Sequence, residues 1–206
     1  MISDIQASQQ VFNAFQESLK VLSSYSGPIP NLSFDKNFCD DKEIDGRCYY
    51  PDSIILRPDC PHLTIAHELA HWMTLSAAEE ESKRLGKSTT HLRVDIYKIE
   101  ELKGESEIFS ILYDVVKLAQ STPEITRVWE TIGISESNIF DHWKVQARVR
   151  PEEILANSIA QFIAERHFPA DLDFLENIGD GATAMDTDGY WSVPSFEKLK
   201  PLISKL

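Results

Sequence analysis

Apolar residues recur at helical spacing from the start of the chain. Across residues 3 to 24, Ile5, Val11, Phe12, Phe15, Leu19 and Leu22 fall on one stripe, which predicts an amphipathic helix capped by Ser3 or Asp4. "SGPIP" breaks it. From Leu32 to Pro58 the pattern shortens: "LSFD", "RCYY" and "SIILRP" read as strands, and "EIDGRC" carries an Asp-Gly turn signal. After the loop "PDCPHL" a helix begins near Leu63. Beyond it, "AAEEESKRLGK" reads as a solvated charged stretch. "SEIFSILYDVVKLAQS" predicts an amphipathic helix through Ile108, Leu112, Val115, Val116 and Leu118, and "TPEITRVWETIG" another. "RPEEILANSIAQFIAERHFP" predicts a helix from Pro151 that stops before Pro169, with Glu152 and Glu153 at its positive end. A turn-rich tail and a short last helix in "SFEKLKPLISKL" follow. There is no internal repeat. The order predicts an α+β fold, mainly helical, with a small β-sheet ahead of the Leu63 helix. Residues 1–206 read as a single domain, with 76–150 as a helical insertion.

Composition changes this picture little and narrows the partners. Of the 206 residues, 42% are hydrophobic, enough for a core, and 26% are charged. The net charge of −13 disfavours nucleic acid as a partner, because phosphate binding rests on Lys and Arg. No apolar run is long enough to span a bilayer, and the N-terminus has no basic region followed by an apolar one. Three cysteines, Cys39, Cys48 and Cys60, are an odd number, which with no secretion signal predicts reduced thiols and a cytoplasmic location.

The chemistry concentrates in "LTIAHELAHWM", Leu63 to Met73. Positions four apart on a helix share a face, so His67 and His71 can turn imidazole nitrogens to one ion. Zn²⁺ suits neutral imidazole and lowers the pKa of a bound water to about 7. Glu68, about 100° around the helix from His67, can reach that water as a general base without being a ligand. The flanks "LTIA" and "WM" are apolar, and ionisable groups on an apolar helix are costly unless paired or bound to metal. A catalytic site of this kind needs a third protein ligand. Glu79, Glu80, Glu100, Glu101, Glu105, Glu107, Glu152, Glu153, His62, His91 and His142 are all candidates. Glu153 shares a face with Ala156, Asn157 and Ala160, and those small alanines permit close packing of a second helix. The pattern places it only modestly ahead of Glu152, since dipole complementation alone accounts for an acid there.

The two segments together resemble the ImmA/IrrE family of zinc metallopeptidases. Thr64, Ala66, His67, Glu68 and His71 match its T-x-A-H-E-x-x-H helix, and Glu153, Ala156, Asn157 and Ala160 match its E-x-x-A-N-x-x-A helix. The resemblance implies a zincin-like fold of the gluzincin type, with zinc ligands His67, His71 and Glu153 and Glu68 as base. It covers roughly residues 30–75 and 150–170. "HELAHW" and "EEILA" also look like the zincin core of ArdC antirestriction proteins. The stretch from His71 to Glu153 is longer than either family leads one to expect.

Secondary candidates complete the reading. Tyr190, in "DTDGYWSVP", is a candidate donor to a developing oxyanion, beside Tyr49, Tyr50 and His142, and His62 is a candidate substrate contact. Asn157 is a candidate hydrogen-bond partner for a metal-binding histidine. A Cys₃His site from the cysteines and His62 lacks a C-x-x-C pair, so the cysteines read as small hydrophobes near the sheet. Asp186 and Asp188 are a fragment of a calcium loop without its remainder. The expected function is that of a zinc-dependent peptidase acting on a protein or peptide, possible regulators included, with the "SIILRP" strand holding an extended substrate. The alternative is a non-proteolytic binding or antirestriction-like module on the same scaffold.

Overall fold

The longest helix is built from a segment whose apolar residues occupy two faces rather than one. In the computed structural model, which describes residues 2–21, 27–89, 102–132, 149–176 and 189–206, this helix runs His62–Arg84. The chain order is α1 (Ile2–Val21), β1 (Asn31–Phe34), α2 (Lys36–Lys42), β2 (Gly46–Tyr49), β3 (Ser53–Leu56) and α3 (His62–Arg84), then α4 (Glu107–Gln120) and α5 (Pro123–Ile132). It continues with α6 (Pro151–His167), a 3₁₀ turn (Pro169–Leu172), α7 (Asp173–Glu176) and α8 (Val193–Ile203). The fold is α+β, mainly helical with one small mixed sheet. No described helix is long and apolar enough to cross a membrane.

The faces of α3 explain its central place. Ala66, Ala70, Leu75 and Ala78 join one large apolar cluster with α4, α6 and α8. Ile65, Leu69 and Trp72 join a second cluster with α1 and the sheet. A helix apolar on both sides is a buried helix. Its end is set by Lys83 and Arg84 in the last turn, which complement the negative end of the dipole, and by Gly86 at φ +70. The charged stretch after Leu75 is therefore less solvated than the sequence suggests. Ala78, Glu81 and Ser82 are buried, and Arg84 clamps the Glu81 carboxylate at 2.6 and 2.8 Å.

α6 makes the most extensive contact with α3. Every residue from Ile154 to Ala164 is buried. Ala156 and Ala160 meet the alanines of α3, and small side chains at a crossing let two helix axes approach closely. Pro151 stands at its first turn, as the sequence predicts.

In the sheet the order is β1-β3-β2, with β1 parallel and β2 antiparallel to β3. All three strands overlap the segments that the sequence marks as strands. The expectation that "SIILRP" would hold a substrate strand does not survive, because β3 is hydrogen-bonded on both sides. Among the described residues β2 is an outer strand, and it packs on α3. The sequence reading missed α2, whose start is capped by Asp35 accepting from Phe38 N at 2.9 Å and whose end is Glu43 at φ 54. In α1, Val11, Ala14, Phe15 and Ser18 form the buried face, and Phe12 points outward.

Candidate metal centre

Three side chains from α3 and α6 converge where the two helices meet. His67 and His71 lie one turn apart on α3, their rings perpendicular with centroids 4.6 Å apart. Their Nε2 atoms are 3.0 Å apart. Glu153, in the first turn of α6, turns one carboxylate oxygen to each: Oε2 lies 3.3 Å from His67 Nε2 and Oε1 3.5 Å from His71 Nε2. Donors about 2.0–2.1 Å from a tetrahedral ion stand about 3.3–3.4 Å from one another. The three separations bracket that value. Among the described residues no other group of three His, Cys, Asp or Glu side chains is placed to hold a metal ion.

The orientation of His67 is fixed from behind. Its Nδ1 lies 2.7 Å from Oδ1 of Asn157, one turn along α6 from Glu153 and 3% exposed. The amide oxygen only accepts, so Nδ1 carries the proton and the neutral ring keeps its lone pair on Nε2, toward His71 and Glu153. Burial pushes the His67 pKa down, but hydrogen bonding to Glu153 and the charge of Glu68 outweigh it and hold the pKa at about 9. For Glu153, burial raises the carboxyl pKa, and the two imidazoles outweigh that and hold it well below the usual range. The site is thus strongly selective for positive charge between its carboxylate and its ring nitrogens.

Glu68 is buried on α3 and lines the same cleft as His67, Glu153 and Asn157, a space of about 520 Å³. Its packing depends on Gly46 at the start of β2. A Cβ there would stand 2.8 Å from Leu56 Cδ2 and 3.0 Å from Glu68 Cγ and Thr64 Cγ2. The Asp-Gly pair predicts a turn; Gly46 instead opens a strand and permits the close approach of β2 to the motif helix. Tyr190 lines the cleft opposite, 6% exposed, its hydroxyl 3.5 Å from Leu63 O.

The remaining candidates fall elsewhere. His62 lines an adjoining pocket, its Nδ1 3.0 Å from Asp171 Oδ2 and its ring stacked on Phe168 at 4.5 Å. Glu152 is not part of the three-residue cluster, and its burial raises its pKa. Tyr50 donates to Glu79, which also pairs with Lys83 at 2.9 Å. Glu105 pairs with Lys87 at 2.5 Å, and Glu107 begins α4. Tyr49 packs edge-on to Phe38. Glu80 is not part of the cluster. His91, Glu100, Glu101, His142, Asp186 and Asp188 lie outside the described residues. Cys39, Cys48 and Cys60 are buried with no disulfide among them, and burial pushes the Cys60 thiol up to about 12.

Sequence reasoning missed a strap that runs behind the site. Gly189, at φ +87, lies against Asn157; a Cβ there would come within 2.3 Å of Nδ2. Trp191 N donates to Gln161 Oε1, and Gln161 Nε2 donates back to Trp191 O, both at 2.9 Å. Trp191 Nε1 donates to Ser158 Oγ at 2.9 Å. Glu124 of α5 then accepts from Ser192 N at 3.1 Å and Ser195 Oγ at 2.8 Å. The Asp-Gly-Tyr-Trp run signals a turn, but its docking on α6 has no local signature. Compared with protein-family models, curated proteins and solved structures, the chain matches none.

Proposed function

We propose that the protein is a zinc-dependent metallopeptidase of the ImmA/IrrE type, with a zincin-like core made of the sheet, α3 and α6. The observation that carries this reading is the meeting of His67, His71 and Glu153 at 3.0–3.5 Å, beside a cleft that also holds Glu68. Two imidazoles and one carboxylate are a donor set of catalytic zinc sites. Bound there, zinc supplies positive charge that polarises a carbonyl and acidifies water. The other parts belong to the chain. Asn157 keeps the His67 lone pair on Nε2. Glu68 takes a proton from the attacking water and delivers it to the leaving amine. The cleft is bounded by the Asp45–Gly46 start of β2. An extended peptide can lie along β2, with alternate side chains turned to the cleft.

Glu68→Gln keeps size and hydrogen bonding but removes the base. It should retain wild-type zinc and lose about 10²–10⁴-fold in peptide hydrolysis. Cleavage at the wild-type rate by that variant would sink the assignment of the base. Metal analysis of His71→Ala and Glu153→Ala tests the ligand set: both should purify without stoichiometric zinc.

A further inference from the structure

The metal cleft does not end at Tyr190. A second pocket of about 500 Å³ adjoins it, and the two share Pro61, Leu63 and Phe174. Leu63 and Phe174 therefore form a ridge between them. Phe174, on α7, is 41% exposed and meets Tyr190 edge-to-face at 6.4 Å. A single exposed apolar side chain means little, but apolar side chains lining adjoining clefts are the usual form of a ligand subsite. The second pocket is not a reaction centre. Its thiol, Cys60, is buried and pushed up to about 12, and its histidine, His62, is engaged by Asp171. Of the carboxylates that line the two pockets, Asp45 is paired with Arg57 at 3.1 Å and Asp171 with His62 at 3.0 Å, so the feature the two clefts share is apolar.

We propose that the Leu63–Phe174 ridge is a specificity subsite that seats a bulky apolar side chain of an extended peptide. The occupant is set by the continuity of the ridge with the metal cleft, since the two pockets share Pro61, Leu63 and Phe174. This deepens the peptidase reading and rests on it for the identity of the ligand as a peptide. Leu63 and Phe174 determine which peptide enters; neither takes part in bond cleavage.

The test separates binding from hydrolysis. Zinc-loaded Glu68→Gln protein is titrated against fluorescein-labelled Gly/Ser peptides carrying one guest residue, Phe, Leu, Ala or Glu, and binding is read by fluorescence anisotropy. Phe and Leu peptides should bind about tenfold or more tighter than the Ala peptide. Adding Phe174→Ala, or separately Leu63→Ala, should remove the preference for Phe, while Phe12→Ala on α1 leaves it intact. Equal binding of all guests, no binding of any peptide, or a preference that persists in both ridge variants overturns the proposal, whatever the wild type cleaves. Selective binding that depends on the ridge, in a wild type that hydrolyses none of these peptides, upholds the subsite and overturns the peptidase reading instead.

Discussion

Asn157→Ala removes a side chain that touches no metal, yet it should weaken zinc binding. In the folded protein the Asn157 amide is 3% exposed and its oxygen lies 2.7 Å from His67 Nδ1. Alanine leaves that N–H without its acceptor, a loss of about 1–3 kcal/mol for a buried donor. It also releases the ring to adopt the other tautomer, whose lone pair sits on Nδ1 and faces away from His71 and Glu153. The zinc-bound state needs a neutral ring with its lone pair on Nε2, whereas the metal-free ring, protonated at neutral pH, is free to turn its N–H groups to other acceptors, so the penalty falls mainly on the bound state. Loss of such a partner at metal sites costs about 10–100-fold in affinity, or about 1.4–2.7 kcal/mol. The two estimates overlap. The assay is competition with a chromophoric chelator at neutral pH, with circular dichroism to check that α6 still folds. Asn157→Asp keeps an acceptor and adds negative charge, so it should hold zinc at least as well as the wild type. The reasoning fails if Asn157→Ala binds within twofold of wild type, or if aspartate weakens binding as much as alanine does.

Two further outcomes follow from the same geometry. With its pKa at about 9, against the downward push of burial, His67 enters binding protonated at neutral pH and must give that proton up. Zinc affinity should therefore rise about tenfold per pH unit below that value and flatten above it; titration calorimetry in buffers of different ionisation enthalpy should detect about one released proton, and a pH-independent affinity would contradict this. Gly46→Ala puts a methyl group 2.8 Å from Leu56 Cδ2 and 3.0 Å from Glu68 Cγ. Overpacking of this kind should lower stability to urea by about 1–3 kcal/mol and slow hydrolysis without altering zinc content; wild-type stability and turnover would show that β2 yields freely.

What the sequence discloses is local, and the limits follow from that. The boundaries of α6 are written in Pro151 and Pro169, and those of α4 in Ser106, whose hydroxyl accepts from Phe109 N at 3.1 Å. Short runs of apolar and aromatic residues beside turn signals mark all three strands. The spacing of His67 and His71 fixes a shared face, and the alanines around Asn157 mark a face for close packing. The order of strands is not written locally, so the choice of β3 as substrate strand failed. α2 was missed because seven residues offer little periodicity, and its signal is one capping aspartate. Glu153 could not be separated from Glu152 by pattern, since both suit a helix start; only the face that α6 turns to α3 where the two cross decides which carboxylate reaches the imidazoles. The partnership of Glu124 with Ser192 and Ser195 joins residues far apart in sequence, and no window of residues contains it.

That crossing also explains why ionisable groups are tolerated at the centre of the molecule. α3 has apolar side chains on two faces, so little room remains for polar ones, and His67, Glu68 and His71 occupy it. α6 is buried from Ile154 onward, and Glu153 stands where it emerges. Its carboxylate therefore gains from the positive end of the helix and from two imidazoles, while losing water on burial. Without an ion, a proton held on His67 balances that charge. On the proposed reading the same carboxylate and the same lone pairs would serve as ligands with little movement, because both helices are fixed by packing on either side and α6 is further held by the Trp191 strap. Two apolar clusters secure the fold, so an ion taken up by His67, His71 and Glu153 would draw on a preformed site instead of having to organise the chain around it.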